Sequence, residues 1–220
     1  MSGHDHPGAA PIEVELRFLA AAGLPTAAKI AGLEPAGMCL IERGAQRLHS
    51  DVYCDTVRLG LRAAGANLRV RTGSLGERWV TLKQKTRGGH KGAVNIRLEA
   101  EVLLPPGALA EDSEPWLAAR ALTTREIRPM LHVATLREEH LFGDRHGNRA
   151  VMALDMVTYP DGSVEHRLEV EMREGTPQLL RVVEDDLRRK VRGLKAAPRG
   201  KRSEAIRRLP QLVAGAVTKA

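Results

Sequence analysis

Charged and apolar residues alternate along the segment 12–18, which reads IEVELRF. Side chains of a β-strand point to opposite faces at successive positions, so Glu13, Glu15 and Arg17 share one face and the apolar residues share the other. Paired carboxylates suit a hard divalent cation, and a guanidinium matches the oxygens of a phosphate group. The spacing therefore predicts a strand with one apolar and one charged face, which is ordinary for a single strand; the chemistry depends on whether other strands repeat it.

Five further segments repeat this spacing, with ionisable residues two positions apart and apolar residues between them. Carboxylate pairs occur near both ends of the series, and pairs of cations occur in the middle. This combination suits a polyphosphate bound with Mg²⁺ or Mn²⁺, because Arg and Lys bind phosphate oxygens and Glu binds the cation. The ionisable residues are Arg69 and Arg71, Lys83 and Lys85, Arg97 with Glu99 and Glu101, Arg137 with Glu139, and Arg167 with Glu169 and Glu171.

The same alternation is compatible with a barrel that has an apolar interior and a salt-bridged exterior. Charged outer faces are common, and surface ion pairs contribute little to stability. Six segments with segregated charges nevertheless favour an inward arrangement, in which the charged faces meet inside and helices cover the apolar outer face. The two arrangements differ in whether Glu13, Arg71, Lys83 and Glu171 converge on one cavity.

The elements that position these residues are about eight strands in meander order, with short helices between some of them. A loop is expected at 87–92, and the longest helix is expected from Thr176 to about Gly193. Long helices do not alternate with the strands, so a parallel sheet is not indicated. The pattern predicts an α+β fold, a closed eight-stranded antiparallel β-barrel with a hydrophilic interior and flanking helices.

The composition is that of a protein with a hydrophobic core, since 43% of the residues are hydrophobic and 28% are charged. No apolar run is long enough to span a membrane, so no membrane partner is expected. The two cysteines, Cys39 and Cys54, lack a metal-binding spacing and are expected to be buried thiols of a cytoplasmic protein.

Positive charge is concentrated at the C-terminal end. Residues 188–220 contain eleven Lys/Arg residues and one acid, so they account for the net charge of +7 and the rest of the chain is nearly balanced. We expect a disordered leader over 1–10, a barrel domain over 11–192 and a basic tail over 193–220, where Ser203 favours a further helix. A solvated helix is favoured over a nucleic-acid tether, and a homodimer is left open.

The ordered set of motifs resembles the CYTH superfamily, the triphosphate tunnel metalloenzymes, over about residues 11–192. Arg17 stands where the family usually has Lys; it keeps the charge but cannot be deprotonated, which puts a role as proton acceptor in doubt. The motifs are the Glu-x-Glu-x-Lys-type run EVELR at 13–17, DVYCDT at 51–56, LRVR at 68–71, TLK at 81–83, Arg97 with Glu99, Arg137, and LEVE at 168–171.

The resemblance implies a barrel whose bore holds a triphosphate, with Mg²⁺ or Mn²⁺ near one mouth. It also implies that Tyr53 and Lys83 occupy the positions proposed to activate water in the thiamine triphosphatase branch. The implied metal ligands are Glu13, Glu15, Asp155, Glu169 and Glu171, and the implied substrate ligands are Arg17, Arg69, Arg71, Lys83, Lys85, Arg97 and Arg137.

The branch of the family decides the reaction. Water as the acceptor gives hydrolysis, whereas a ribose hydroxyl gives the cyclisation catalysed by class IV-type adenylate cyclases. Aromatic residues are few and no feature indicates an adenine pocket, so metal-dependent hydrolysis of inorganic triphosphate is favoured. Cyclisation, thiamine triphosphate hydrolysis and a non-catalytic polyphosphate-binding module stay open as alternatives.

Overall fold

The computed structural model describes residues 12–209 except 22, 27, 28, 31 and 92, and it gives only the backbone of 87–91. The predicted leader and the end of the predicted tail lie outside the described residues. The strands are β1 (Ile12–Ala20), β2 (Cys39–Asp55), β3 (Ala66–Gly73), β4 (Arg78–Lys91), β5 (Val94–Leu104), β6 (Arg128–Gly143), β7 (Arg149–Thr158), β8 (Val164–Glu174) and β9 (Leu194–Ala196). The helices are α1 (Gly60–Ala63), α2 (Glu114–Arg120), α3 (Pro177–Lys190) and α4 (Lys201–Arg208), with short 3₁₀ turns at Pro35–Gly37 and Ala110–Asp112.

The first eight strands close on themselves. Their order is β5-β4-β3-β2-β6-β7-β8-β1, and β1 also pairs with β5, which closes the sheet. Neighbouring strands in the described residues are antiparallel throughout. The predicted closed, eight-stranded antiparallel barrel is confirmed, with β9 as an extra strand beside β1.

The apolar faces of the strands point outward and are covered by helices. Leu16 and Phe18 of β1 are fully buried in a core that includes Leu180 and Leu187 of α3. A second core around Trp116 places α2 against β3, β4 and β5. Burying a large apolar side chain contributes about 1.5–3 kcal/mol, so the helices stabilise the barrel from outside and leave the bore to polar residues.

β4 is longer than the sequence pattern indicates. The prediction of a loop beginning at residue 87 is wrong, because β4 continues to Lys91. Its pairing with β5 resumes at His90 after a register shift that follows Lys85. Such an irregularity accommodates extra residues without ending the ladder, so the glycine-rich stretch does not terminate the strand.

The chain after α3 closes one end of the barrel. β9 pairs with the end of β1, and the N–H of Ala197 donates a hydrogen bond of 2.8 Å to the carbonyl oxygen of Arg17. α4 then packs against β6, with Ala205 and Ile206 in a small core that also contains Tyr53. None of the described helices has the length and apolar character needed to cross a bilayer.

Candidate functional site

A cavity of about 1040 Å³ fills the barrel, and eleven of the thirteen predicted site residues line it. The two exceptions are Asp155, which is fully buried, and Lys85, whose exposed side chain lies next to Gly65. The charged faces of the strands therefore meet inside the barrel. The lining residues from the predicted set are Glu13, Glu15, Arg17, Tyr53, Arg69, Arg71, Lys83, Arg97, Arg137, Glu169 and Glu171.

Three carboxylates gather near the open end of the cavity. Glu15 of β1 is the cross-strand partner of Glu171 of β8, and Glu13 lies two positions away on the same face of β1. Cross-strand partners have Cβ atoms about 5 Å apart, so like charges at these positions repel one another. Two cations lie among them: Lys83 Nζ is 2.5 Å from Glu13, and Arg97 pairs with both glutamates of β1.

The protonation equilibria of the glutamates reflect this crowding. Burial, together with neighbouring carboxylates, raises the pKa of Glu171 to about 7 despite the opposing charge of Arg173. Burial also raises the pKa of Glu15, and the charge of Glu13 adds to this effect against the influence of Arg97. A carboxylate with a raised pKa has too little positive charge around it to offset burial and repulsion. A bound cation would supply that charge.

The donor types of this cluster fit a hard divalent cation. Glutamate oxygens suit Mg²⁺ and Mn²⁺, and Glu13 Oε2 is buried with no hydrogen-bond partner among the described residues, although Arg97 Nη2 lies 3.4 Å away. In the described part of the chain, no three carboxylate, imidazole or thiol groups are arranged to hold an ion. Lys83 and Arg97 occupy the carboxylates instead, so metal binding requires these two cations to turn toward another anion.

Two arginines of β3 are held in place by a buried carboxylate. Arg71 binds Asp51 through Nε at 2.7 Å and Nη2 at 3.0 Å, and Arg69 lies 3.7 Å from the same group. Burial alone would raise the pKa of Asp51, but the two arginines outweigh that effect and hold the pKa well below its usual range. Asp51 was not among the predicted site residues, and its contacts make it a positioning residue for both guanidinium groups.

Deeper in the barrel, Asp155 and Glu169 form ion pairs with positively charged side chains of the protein. Arg137 makes a bidentate pair with Asp155, with both N–O distances at 2.7 Å, and reaches Glu169 at 2.6 Å. Lys201 Nζ lies 2.6 Å from Asp155 and 3.6 Å from Glu169. Burial would raise the pKa of Glu169, but Lys201 and Arg137 outweigh it and keep the pKa well below its usual range. Both oxygens of Asp155 are thus engaged by cations of the protein.

The CYTH domain description matches residues 11–200 of the sequence. The chain belongs to the CYTH domain family. No curated protein sequence matches it. Solved structures share the fold at identities that support the fold alone. They include an adenylyl cyclase candidate from Hippeastrum with a dominant triphosphatase activity (TM-score 0.62, 17% identity, 88% of this chain and 94% of the other). They also include an adenylate cyclase candidate from Bacillus halodurans (TM-score 0.62, 18% identity, 91% and 98%) and PH1819 from Pyrococcus horikoshii (TM-score 0.53, 18% identity, 89% and 99%).

One cation of the site follows directly after the residues that match the CYTH domain. Lys201 is the first residue of α4 and lines the cavity at its closed end. Arg202 Nη1 lies 3.6 Å from Asp55, and this contact anchors α4 to the end of β2. The composition of the tail indicated positive charge, but it did not indicate which basic side chains point into the barrel. Lys201 was therefore not among the predicted site residues.

Arg17 and Tyr53 lie at the closed end of the CYTH domain cavity. Arg17 hydrogen-bonds to Asn95, and a Cβ atom at Gly200 would lie only 2.8 Å from Arg17 Nη1, so glycine allows the close approach. Burial raises the pKa of Tyr53 to about 12, and Asp51 adds to this effect. Tyr53 is therefore a neutral phenol near pH 7, suited to donating a hydrogen bond rather than accepting a proton.

In metal-free protein, Glu171→Gln is expected to reduce the loss of stability that occurs as the pH rises. The folded-state pKa of Glu171, about 7, exceeds the ordinary value of 4.5, so between these values the folded state binds more protons than the unfolded state. The free energy of unfolding therefore decreases as the pH rises through this range. Urea unfolding in a chelator, at several pH values across that range, measures the slope.

The exposed Glu174 on the same strand provides a matched control for this measurement. Glu174→Gln is expected to keep the wild-type dependence on pH. If the dependence of the unfolding free energy on pH is equal in wild type, Glu171→Gln and Glu174→Gln, the ionised form of Glu171 is not destabilised by its surroundings.

Proposed function

We propose that the protein hydrolyses a triphosphate inside its tunnel with Mg²⁺ or Mn²⁺, and that inorganic triphosphate is its first substrate. One observation carries the proposal: the cavity inside the barrel is lined by a cluster of three glutamates and by arginines and lysines from seven strands and α4. Membership of the CYTH domain family supports it, as does the dominant triphosphatase activity of the Hippeastrum neighbour.

A triphosphate would replace carboxylates as the partner of the tunnel cations. Lys83 and Arg97 now neutralise Glu13 and Glu15. When phosphate oxygens bind these two cations, the glutamates become available to the divalent cation. Substrate and metal would thus enter the site together. The proposed substrate contacts are Arg17, Arg69, Arg71, Lys83, Arg97, Arg137 and Lys201; Lys85 is omitted because it does not line the cavity.

Buried carboxylates orient the cations that the reaction needs. Phosphoryl transfer requires mainly in-line positioning and stabilisation of charge on the phosphate oxygens. Asp51 fixes Arg71, and Asp155 fixes Arg137 and Lys201, before any substrate binds. A divalent cation held by Glu13, Glu15 and Glu171 neutralises further phosphate charge when bound. In this arrangement the neutral phenol of Tyr53 would donate a hydrogen bond to a phosphate oxygen at the closed end.

The cysteines support a cytoplasmic location for this activity. Cys54 is a buried free thiol, as predicted, whereas Cys39 is an exposed free thiol, so the prediction of burial is wrong for Cys39. Burial raises the pKa of the Cys54 thiol to about 12, so it carries little thiolate at neutral pH. Free thiols are typical of reducing compartments.

A substrate panel distinguishes hydrolysis from the alternatives. Purified protein with Mg²⁺ or Mn²⁺ is incubated with tripolyphosphate, ATP, thiamine triphosphate and long-chain polyphosphate, and phosphate and cyclic AMP are measured separately. Phosphate release from tripolyphosphate supports the proposal. Cyclic AMP from ATP without phosphate release from tripolyphosphate would assign cyclisation, and binding of polyphosphate without release would make the protein a binding module.

Arg17→Ala is expected to raise the activation free energy for tripolyphosphate by about 2–4 kcal/mol, comparable to the loss of one charge-stabilising donor. Arg17→Lys is expected to change activity little, because the proposed contribution is positive charge and other cations line the cavity. Steady-state kinetics checks both variants. Wild-type kinetics for Arg17→Ala would show that this side chain does not reach the phosphates, and a higher kcat for Arg17→Lys would show that a compact or titratable donor is needed.

A further inference from the structure

His49 reaches the tunnel cavity with one side of its ring unpartnered. The residue is half-buried on β2 and lines the cavity, and its Nδ1 atom is buried without a hydrogen-bond partner among the described residues. A buried polar atom costs free energy until a partner satisfies it. The proposed substrate contacts and metal ligands do not include His49, so this ring points to a contact that forms when a ligand binds.

Thr135 of β6 carries a second polar atom in the same condition. It is the cross-strand partner of His49, and its side chain is fully buried. Its hydroxyl oxygen has no hydrogen-bond partner in the part of the chain that the structure describes. Cross-strand partners have Cβ atoms about 5 Å apart, which lets a hydroxyl reach Nδ1 directly or through one water molecule. The hydroxyl can donate and an unprotonated ring nitrogen can accept, so the two atoms complement each other.

The imidazole of His49 is neutral near pH 7. Burial, and then the charges of Arg71 and Arg137, lower its pKa to about 4 against the opposing charges of Asp51 and Glu139. A neutral imidazole carries a proton on one nitrogen and accepts at the other. A hydrogen bond accepted by Nδ1 therefore leaves the proton on Nε2, at the far end of the ring.

The ring of His49 lies between two of the arginines that are proposed to bind phosphate. Arg47 and Asp51 are its neighbours two positions away on the same face of β2. The cross-strand partner of Arg47 is Arg137, and that of Asp51 is Arg71. Both guanidinium charges affect the imidazole. A phosphate group held by the two guanidinium groups would therefore lie within reach of the far end of the ring.

We propose that His49 donates a hydrogen bond from Nε2 to a phosphate oxygen held between Arg71 and Arg137, and that Thr135 orients the ring through Nδ1. The inference rests on the proposed triphosphatase function and adds a catalytic residue and a positioning residue to it. A preorganised donor stabilises the charge on phosphate oxygens during phosphoryl transfer. The imidazolium also carries a proton on Nε2, so this donation does not require a particular charge on the ring.

Two substitutions of His49 separate the two nitrogens of the ring. The amide nitrogen of Gln can take the place of Nε2, whereas the shorter Asn reaches only the position of Nδ1. With Mg²⁺ present, His49→Asn is expected to lower kcat/KM for tripolyphosphate by about 10- to 100-fold, because a hydrogen bond to a charged group is lost. His49→Gln keeps the donor and is expected to lower it by no more than about threefold.

His132→Gln is the matched control for these substitutions. His132 is an exposed histidine of β6 that does not line the cavity. Its replacement by Gln is expected to leave the kinetics of tripolyphosphate hydrolysis as in wild type. Wild-type kinetics for His49→Asn would overturn the inference. Equal losses in His49→Asn and His49→Gln would also overturn it, because they would indicate that the ring accepts a proton, which neither amide can do.

Thr135→Val tests the positioning role, because it replaces the hydroxyl with a methyl group of similar size. It is expected to lower kcat/KM about three- to tenfold when His49 is present. In the His49→Gln background its effect is expected to be less than about twofold, because the amide has no Nδ1 to orient. Urea unfolding is expected to show no loss of stability, since the hydroxyl has no partner among the described residues. Equal kinetic losses in both backgrounds would contradict the positioning role.

Nitrogen NMR of protein labelled at histidine reads the state of the ring without turnover. The chain has eight histidines, and the signals of His49 are assigned by their absence from His49→Gln. The ligand is an analogue of tripolyphosphate with methylene groups in both phosphate bridges, added with Mg²⁺. We expect the proton on Nε2 in the free protein and a shift of the Nε2 signal when the analogue binds. A proton on Nδ1, or an unchanged Nε2 signal in the complex, would overturn the inference.

The NMR measurement separates this inference from the proposed function. If the wild type hydrolyses no triphosphate, the proposed function fails. The shift of the Nε2 signal in the complex with the analogue then still decides whether His49 donates a hydrogen bond to a bound phosphate. If the wild type hydrolyses tripolyphosphate and the Nε2 signal does not respond to the analogue, the proposed function stands and the inference fails.

Discussion

Removal of divalent cations is expected to abolish tripolyphosphate hydrolysis, and Mg²⁺ or Mn²⁺ is expected to restore it. Burial and mutual repulsion raise the pKa of Glu15 and Glu171, so the cluster lacks positive charge. Without a divalent cation, the glutamates of β1 keep Lys83 and Arg97 as partners and withhold both cations from the phosphates. We expect kcat/KM to fall by about 100-fold or more after exhaustive chelation, measured as phosphate release.

A neutral substitution tests the same site in the presence of metal. Glu171→Gln is expected to abolish the metal-dependent activity and to leave the fold intact. Glu42→Gln is the matched control, because Glu42 is an exposed carboxylate on the rim of the same cavity, outside the cluster. It is expected to retain activity. Full hydrolysis by the wild type after chelation would contradict a role for the glutamate cluster in metal binding.

Arg137→Ala is expected to have the largest effect on the fold and to remove activity. The substitution leaves Asp155, which is fully buried, without its bidentate partner, and it removes a cation from Glu169. Removal of one partner from a buried ion pair costs about 3–5 kcal/mol in the free energy of unfolding. Urea unfolding measures this loss, and phosphate release measures the activity.

A double variant separates stability from catalysis. Combining Arg137→Ala with Asp155→Ala removes both members of the pair, and it is expected to recover part of the stability but no activity. Arg149→Ala is the surface control, because Arg149 lies 3.7 Å from Glu174 with both side chains more than half exposed; it is expected to cost less than about 1 kcal/mol. An Arg137→Ala variant as stable as Arg149→Ala would contradict the role assigned to Asp155.

The alternation of charged and apolar residues predicted the barrel because side chains of a strand repeat every two residues. This period of two places Glu13, Glu15 and Arg17 on one face of the strand. A slip of one residue in the pairing would turn that whole face the other way. Whether that face meets the bore or the solvent depends on where the helices pack. In the structure, α2 and α3 cover the apolar faces, so the charged faces point into the bore.

Lys201 and Asp155 show what the pattern could not predict. Lys201 reaches the cavity because Arg202 and Asp55 anchor α4, and this contact joins residues that are far apart in the sequence. Asp155 was predicted to be a metal ligand because the motifs of the chain resemble those of the family. The cations that occupy it, Arg137 and Lys201, come together only in the packed barrel.

Tyr53 and His49 illustrate the same limit for single residues. The motif at 51–56 placed Tyr53 in the site, but its raised pKa depends on burial, which the motif does not encode. The register between β2 and β6 brings His49 beside Thr135, and that register becomes visible only in the sheet.

The most direct test of the tunnel site is a crystal structure with Mn²⁺ and the methylene-bridged analogue of tripolyphosphate. Anomalous scattering locates the metal independently of the phosphates. We predict Mn²⁺ bound by Glu13, Glu15 and Glu171, with phosphate oxygens hydrogen-bonded to Arg71 and Lys83 inside the cavity. An analogue bound on the outer surface of the barrel, or Mn²⁺ bound away from these glutamates, would contradict the account.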